Sequence, residues 1–103
     1  MLPIELCNLK ISKPKYPYDV KVCRRMSILG NPFVLDKESD RDLVCDLYED
    51  WFKEQARVFK PEILRLLSIY KEFGKLRLFC WCAPKRCHAN TIRTAIMKEM
   101  EES

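Results

Sequence analysis

The stretch Leu76-Arg77-Leu78-Phe79-Cys80-Trp81-Cys82-Ala83-Pro84-Lys85-Arg86-Cys87-His88 decides the fold. Its first seven residues are rich in apolar and aromatic types and read as a strand, Leu76 to Cys82. Ala83-Pro84 then forces an extended or turning backbone, because the residue before a proline is pushed out of the helical region. From about Cys87 to Glu101 the apolar residues Ile92, Ala95, Ile96 and Met100 return at helical spacing. A strand therefore runs through a short turn into a helix.

Working outward, Leu43, Val44, Leu47, Tyr48, Trp51 and Phe52 recur at intervals of three and four, which predicts an amphipathic helix from Ser39, with Ser39 or Asp40 as N-cap. A second helix is expected to open at Pro61, to bury Ile63, Leu66, Leu67 and Tyr70, and to stop at Gly74. Ahead of both, Ile4 to Ile11 and Asp19 to Cys23 read as short strands around a loop punctuated by Pro14 and Pro17. Gly30-Asn31-Pro32 marks a turn in an ordered loop. The order is strand, strand, helix, helix, strand, helix. Two helices between the second and third strands give a crossover long enough for parallel pairing, so the expected fold class is α/β, a small single domain over residues 1–103 with an at least partly parallel sheet.

Composition agrees with a globular domain. The chain has 103 residues, 48% hydrophobic and 33% charged, with two glycines, so it can bury a core without a metal or disulfides. No signal peptide or membrane span is read in it, which makes a soluble, cytoplasmic protein with no membrane partner the expectation. Six cysteines in such a compartment read as free thiols, metal ligands or reactive groups. The net charge of +4 is uneven: Lys10, Lys13, Lys15, Lys21, Arg24 and Arg25 crowd the front, and the run from Asp36 to Glu54 is mainly acidic. A basic front without a recognised nucleic-acid module is slim support for nucleic-acid binding.

In a strand, Cys80 and Cys82 share one face and Trp81 takes the other. Cys87 and His88 fall at a helix start, where unpaired N–H groups and the helix dipole favour negative charge. Two chemical readings follow. In the first, the segment is an anion pocket or a reactive thiol site at Cys87 or Cys80: Arg24, Gly30, Asn31, Lys85 and Arg86 hold a phosphate-bearing ligand, and any catalysis runs through Cys87 with His88 moving its proton. In the second, Cys80, Cys82, Cys87 and His88 bind zinc, the right ligand types and number but at unusual spacing. Packing alone is the bland reading, and it is the expectation for Cys7, Cys23, Cys45 and Trp51. No carboxylate completes a triad, so whether the protein is an enzyme stays open.

Val22-Cys23-Arg24, Leu29-Gly30-Asn31-Pro32-Phe33, Tyr48 and the Cys80 to His88 motif together resemble the domain of unknown function 4326 family, found in bacteria and bacteriophages. The chain departs from that family's pattern at Cys23 and Ala89, where glycine is usual. The resemblance implies a phage-encoded domain in which Arg24, Gly30, Asn31 and Pro32 belong to one site with the cysteines. The expected function is binding of a nucleotide or other phosphate-bearing ligand between the Arg24 to Phe33 loop and the Cys80 to His88 segment. The alternative is a zinc-stabilised, non-catalytic interaction protein acting on a host protein.

Overall fold

The computed structural model describes residues 4–23, 29–33, 37–82 and 85–102. Three strands, β1 (Ile4–Asn8), β2 (Asp19–Lys21) and β3 (Leu76–Cys80), form one sheet in the order β1-β3-β2. Both pairings are parallel, with Leu6 and Val20 opposite Leu78 from either side. Three helices, α1 (Arg41–Glu54), α2 (Ala56–Phe73) and α3 (His88–Glu102), complete an α/β domain.

Side-chain alternation sorts the sheet into two unlike faces. Ile4, Leu6, Val20, Leu76, Leu78 and Cys80 join one hydrophobic core with Tyr48, Phe59, Leu66, Ile92 and Ile96 of the helices. The other face carries Glu5, Cys7, Asp19, Lys21, Arg77 and Phe79. Phe79 is fully buried there although it lies outside the core cluster. Its cover is a cation: the Arg77 guanidinium lies 5.2 Å from the Phe79 ring centre and 6.0 Å from that of Tyr16.

Tyr16 belongs to the connection over residues 9–18, which links two parallel strands without a helix. Parallel connections usually need a dozen or more residues. This one runs back three residues along the sheet, from the level of Cys80 to that of Arg77, and crosses two strand spacings, about 14 Å in all, well within the roughly 33 Å that ten extended residues can reach. Asn8 starts the turn by accepting the Lys10 N–H at 2.8 Å, and this ends β1 three residues before the expected Ile11. Asp19 receives the other end: its carboxylate accepts the N–H groups of Lys15 and Tyr16 at 2.8 and 3.1 Å. The Asp19 side chain is fully buried and paired with Arg77, itself 19% exposed. Nε and Oδ1 lie 2.9 Å apart but poorly aligned, and neither has a hydrogen-bond partner among the described residues; the pair is held by charge and by a longer Arg77 Nη2 to Asp19 Oδ2 contact of 3.4 Å.

The helical region departs from the sequence expectation at its boundaries. A 3-10 turn, Glu38–Asp40, precedes α1, and Asp40 occupies the N-cap position without a side-chain cap bond. Val44, Cys45, Tyr48 and Phe52 are buried, whereas Leu43 and Leu47 are 59% and 42% exposed. The inward face of α1 is thus turned toward Cys45, away from two leucines that the periodicity had placed on it. The second helix opens at Ala56, five residues before Pro61, which sits inside it. A proline here removes one helix hydrogen bond. The compensation is aromatic: Phe59 is buried with its ring 5.3 Å from Phe52 and 5.1 Å from Trp51. Gly74 ends α2 as expected, at φ 68° with its N–H donated to the Tyr70 carbonyl. No helix among the described residues is long and apolar enough to cross a membrane.

The buried half of the Asp19–Arg77 pair sets a stability prediction. Arg77→Met strands the Asp19 carboxylate and uncovers Phe79, and is expected to lower unfolding free energy by about 3 kcal/mol in urea titrations. Asp19→Asn keeps an oxygen for Lys15 and Tyr16 and is expected to cost less.

Candidate functional site

The carboxyl ends of all three strands meet at one edge of the sheet, where Cys80, Cys87 and His88 also lie. Three cross-links fasten the edge. The Leu9 N–H donates to the Cys80 carbonyl at 2.9 Å, the Val22 N–H donates to the Phe79 carbonyl at 3.0 Å, and Asn8 Nδ2 donates to the Trp81 carbonyl at 3.3 Å. β3 is therefore bonded on both sides up to its last residue. Cys80 is buried in the core, Trp81 is 54% exposed, and Cys82 returns to the core side half-buried, as alternation requires.

Helix α3 starts directly beneath. The Cys87 N–H donates to Asn90 Oδ1 at 3.0 Å and the Asn90 N–H returns to the Cys87 carbonyl at 3.0 Å. This reciprocal pair satisfies donors that a helix start otherwise leaves open. The Ala89 N–H points at the Cys87 sulfur. His88 is buried, with Nε2 2.5 Å from the Val22 carbonyl and its ring edge-on to Tyr48 at 5.4 Å. A carbonyl only accepts, so Nε2 carries its proton and donates. The bond ties the start of α3 to the end of β2. Tyr48 in turn donates its hydroxyl to the Leu29 carbonyl at 2.7 Å, and burial pushes its phenol up, so it stays protonated.

Three sulfurs result at one place. Cys80 Sγ and Cys87 Sγ are 3.3 Å apart and both buried. Cys82 is the third thiol in electrostatic reach of Cys87. The bonds to Cys80 and Cys82, together with burial, push the Cys87 thiol up, so it keeps its proton and acts as donor. Cys82 goes the other way. The Cys87 bond holds it down against the opposing effect of burial, Arg41 adds to this, and its thiol lies near about 5. The thiol held down is thus Cys82, and the thiol pushed up is Cys87, the group that the sequence made the reactive one.

Arg41 went unnoticed in the sequence. It sits at the first residue of α1 and folds back: Nε and Nη2 bind the two Glu38 oxygens at 2.7 and 2.8 Å, Nη1 donates to the Arg86 carbonyl at 2.9 Å, and the guanidinium also bonds Cys82. Lys85 joins the same carboxylate, 3.2 Å from Glu38 Oε1. The hydrogen bonds from Arg41 and Lys85 hold the exposed Glu38 carboxyl down to about 2. Only the acidic run around Glu38 hinted at a basic partner.

The other expected ligand residues divide. Arg24, Ala83 and Pro84 lie outside the described residues. Asn31 accepts the Phe33 N–H at 2.8 Å, closing its own turn, and Gly30 lies in the loop that Tyr48 and Trp51 hold against α1. Arg86 turns away from the thiols and pairs with Asp42, Asp46 and Glu49 on α1, at 3.0, 2.8 and 3.4 Å. The acidic face of α1 takes up this cation. Arg86 also borders a cavity of about 530 Å³ between α1, α2 and α3, floored by Phe52, Phe59 and Ile63, which Gly30, Asn31, Lys85 and Cys87 do not line. As for metal, no group of three or more His, Cys, Asp or Glu side chains that could hold an ion occurs among the described residues, and His88 Nε2 is already engaged.

A family model described as Domain of unknown function (DUF4326) matches residues 7–98. No curated protein and no solved structure matches the chain.

The thiolate assignment predicts a distinctive pH profile. Alkylation of Cys82 by iodoacetamide, followed on its peptide by mass spectrometry, is expected to reach full rate by about pH 6 and to halve near pH 5, where an ordinary thiol halves near about 8.5. Arg41→Met is expected to move the Cys82 midpoint upward by about one pH unit. A Cys82 midpoint near that of an ordinary thiol in the unaltered chain counts against the assignment.

Proposed function

Starting from the fact that this chain belongs to the DUF4326 family, we propose that it binds a phosphate-bearing ligand, with nucleotides as the first class to test, at the carboxyl ends of its parallel strands and beside the Cys82 sulfur. The observation that carries this reading is the Glu38 carboxylate. Two oxygens of one exposed side chain are gripped by the Arg41 fork and by Lys85, an arrangement suited to planar or tetrahedral oxyanions. Glu38 occupies it as an internal stand-in. A phosphate group carries more charge and more acceptor oxygens than a carboxylate and competes for the same donors. The location outside strand carboxyl ends is where ligands of open α/β sheets bind.

In this arrangement the phosphate meets Arg41 and Lys85, and Cys82 is the adjacent nucleophile. His88 has a structural part, because its proton is spent on Val22. Arg86 orders α1 against the turn. The zinc-held interaction protein that acts on a host protein is the second reading; it rests on the ligand types of Cys80, Cys82 and Cys87, which form no ion-holding group among the described residues.

Titration calorimetry with a panel of nucleoside mono-, di- and triphosphates tests the proposal. Glu38→Gln removes the internal competitor and is expected to tighten binding by about three- to tenfold, whereas Arg41→Lys loses the fork and is expected to weaken it by about tenfold. Absence of binding to any nucleotide in both the unaltered chain and Glu38→Gln overturns it. Elemental analysis of protein purified without added metal separates the second reading, which expects near one zinc per chain and loss of thermal stability on chelation.

A further inference from the structure

The sulfur cluster has a chemistry that needs no phosphate ligand. Cys80 and Cys87 are 3.3 Å apart and nearly inaccessible, at 1% and 5% exposure, so a bulky oxidant cannot reach either directly. Cys82 is half-buried, the most exposed of the three, which makes it the point of approach. Cys80 and Cys82 stand on the same side of the chain, one on the final residue of β3 and one just past it, and Cys87 faces both across the turn. The sulfurs form a chain from surface to core in the order Cys82, Cys87, Cys80.

We propose that these three cysteines form a thiol relay that accepts a low-molecular-weight disulfide at Cys82 and stores the oxidation as a buried Cys80–Cys87 disulfide. The Cys82 sulfur, the most accessible of the three, loses its proton to solvent and attacks one sulfur of the small disulfide; the Cys82 mixed disulfide forms and one small thiolate leaves. Cys87 then attacks the Cys82 sulfur, forming a Cys82–Cys87 bond. The second small thiol leaves, and the Cys87 proton passes to a leaving sulfur. Finally Cys80 attacks the Cys87 sulfur, the Cys80–Cys87 bond forms, and Cys82 is released with the Cys80 proton available to it. One small disulfide is reduced to two thiols, and Cys80 and Cys87 are oxidised. Closing the last bond requires the sulfurs to move from 3.3 Å to about 2.05 Å, a shift that side-chain rotation and a small displacement at the start of α3 supply. The product fastens the end of the central strand to the first turn of α3.

The experiment treats the full chain under native conditions with oxidised glutathione, blocks remaining thiols with acid quenching and alkylation, and digests with trypsin without reduction. Cys80 and Cys82 fall on the peptide 78–85 and Cys87 on 87–93. The expected result is release of about two small thiols per chain and a link between the two peptides that fragmentation places at Cys80 and Cys87. Cys87→Ser is expected to stop at one glutathione on Cys82, and Cys80→Ser at a Cys82–Cys87 bridge. Cys82→Ser is expected to slow the buried bridge at least about tenfold. A bridge that forms as fast in Cys82→Ser, a Cys82–Cys87 bond as the final product of the unaltered chain, or glutathione that stays on Cys82 with no internal bridge each overturns the relay. Should a serine variant not fold, judged by helical circular dichroism, the time course of the unaltered chain decides: glutathione must appear on Cys82 before the peptides become linked.

Discussion

The central strand β3 is bonded along both edges by parallel neighbours, and the rest of the molecule follows from that constraint. A strand in this position cannot expose its carboxyl end at the side of the sheet; it delivers Cys80 into the middle of the edge, with the turns after β1 and β2 on either side. The chain must leave at once, since the core side is filled by α2 and α3 and the next element begins at His88. The hydrogen bond from His88 Nε2 to the Val22 carbonyl completes the edge by using an acceptor that β2 leaves free at its end. Such a buried donor and acceptor each need the other, because an unpaired polar group in the core costs about 1–3 kcal/mol.

That geometry concentrates sulfur and charge where water is scarce. Three thiols within contact cannot all ionise, so protons are shared unequally: Cys87, bonded to both neighbours, keeps one, and Cys82, nearest Arg41, gives one up. Arg41 serves two anions at once, the Cys82 sulfur and the Glu38 carboxylate, and it ties the start of α1 to the turn through the Arg86 carbonyl. The charge pattern around it is a contest. Arg86, positioned by its own carbonyl's bond to Arg41, swings its guanidinium to three carboxylates on α1, and its neighbour Lys85 joins Arg41 on the Glu38 carboxylate.

Much of the architecture was legible in advance because it rests on local rules. The element order, the parallel sheet, the stop at Gly74 and the alternation that puts Cys80 and Cys82 on one side and Trp81 on the other all follow from periodicity and turn chemistry. The failures are tertiary. Leu43 and Leu47 are exposed because α1 packs through Tyr48 and Phe52, whose partners, His88 on α3 and Phe59 on α2, belong to other helices. Pro61 lies within α2 because aromatic packing ahead of it outweighs one missing hydrogen bond. Arg86 left the expected pocket because the acidic run on α1, visible as composition, has a direction only once the helix is placed.

By itself the sequence determined which atoms reach the sheet edge: a strand, a one-residue cysteine spacing and a helix start bring sulfur there whatever surrounds it. Only the tertiary structure decided which sulfur is the anion. Proton sharing depends on distances between groups seven and forty-one residues apart, from Cys80 to Cys87 and from Arg41 to Cys82, and no local pattern encodes those.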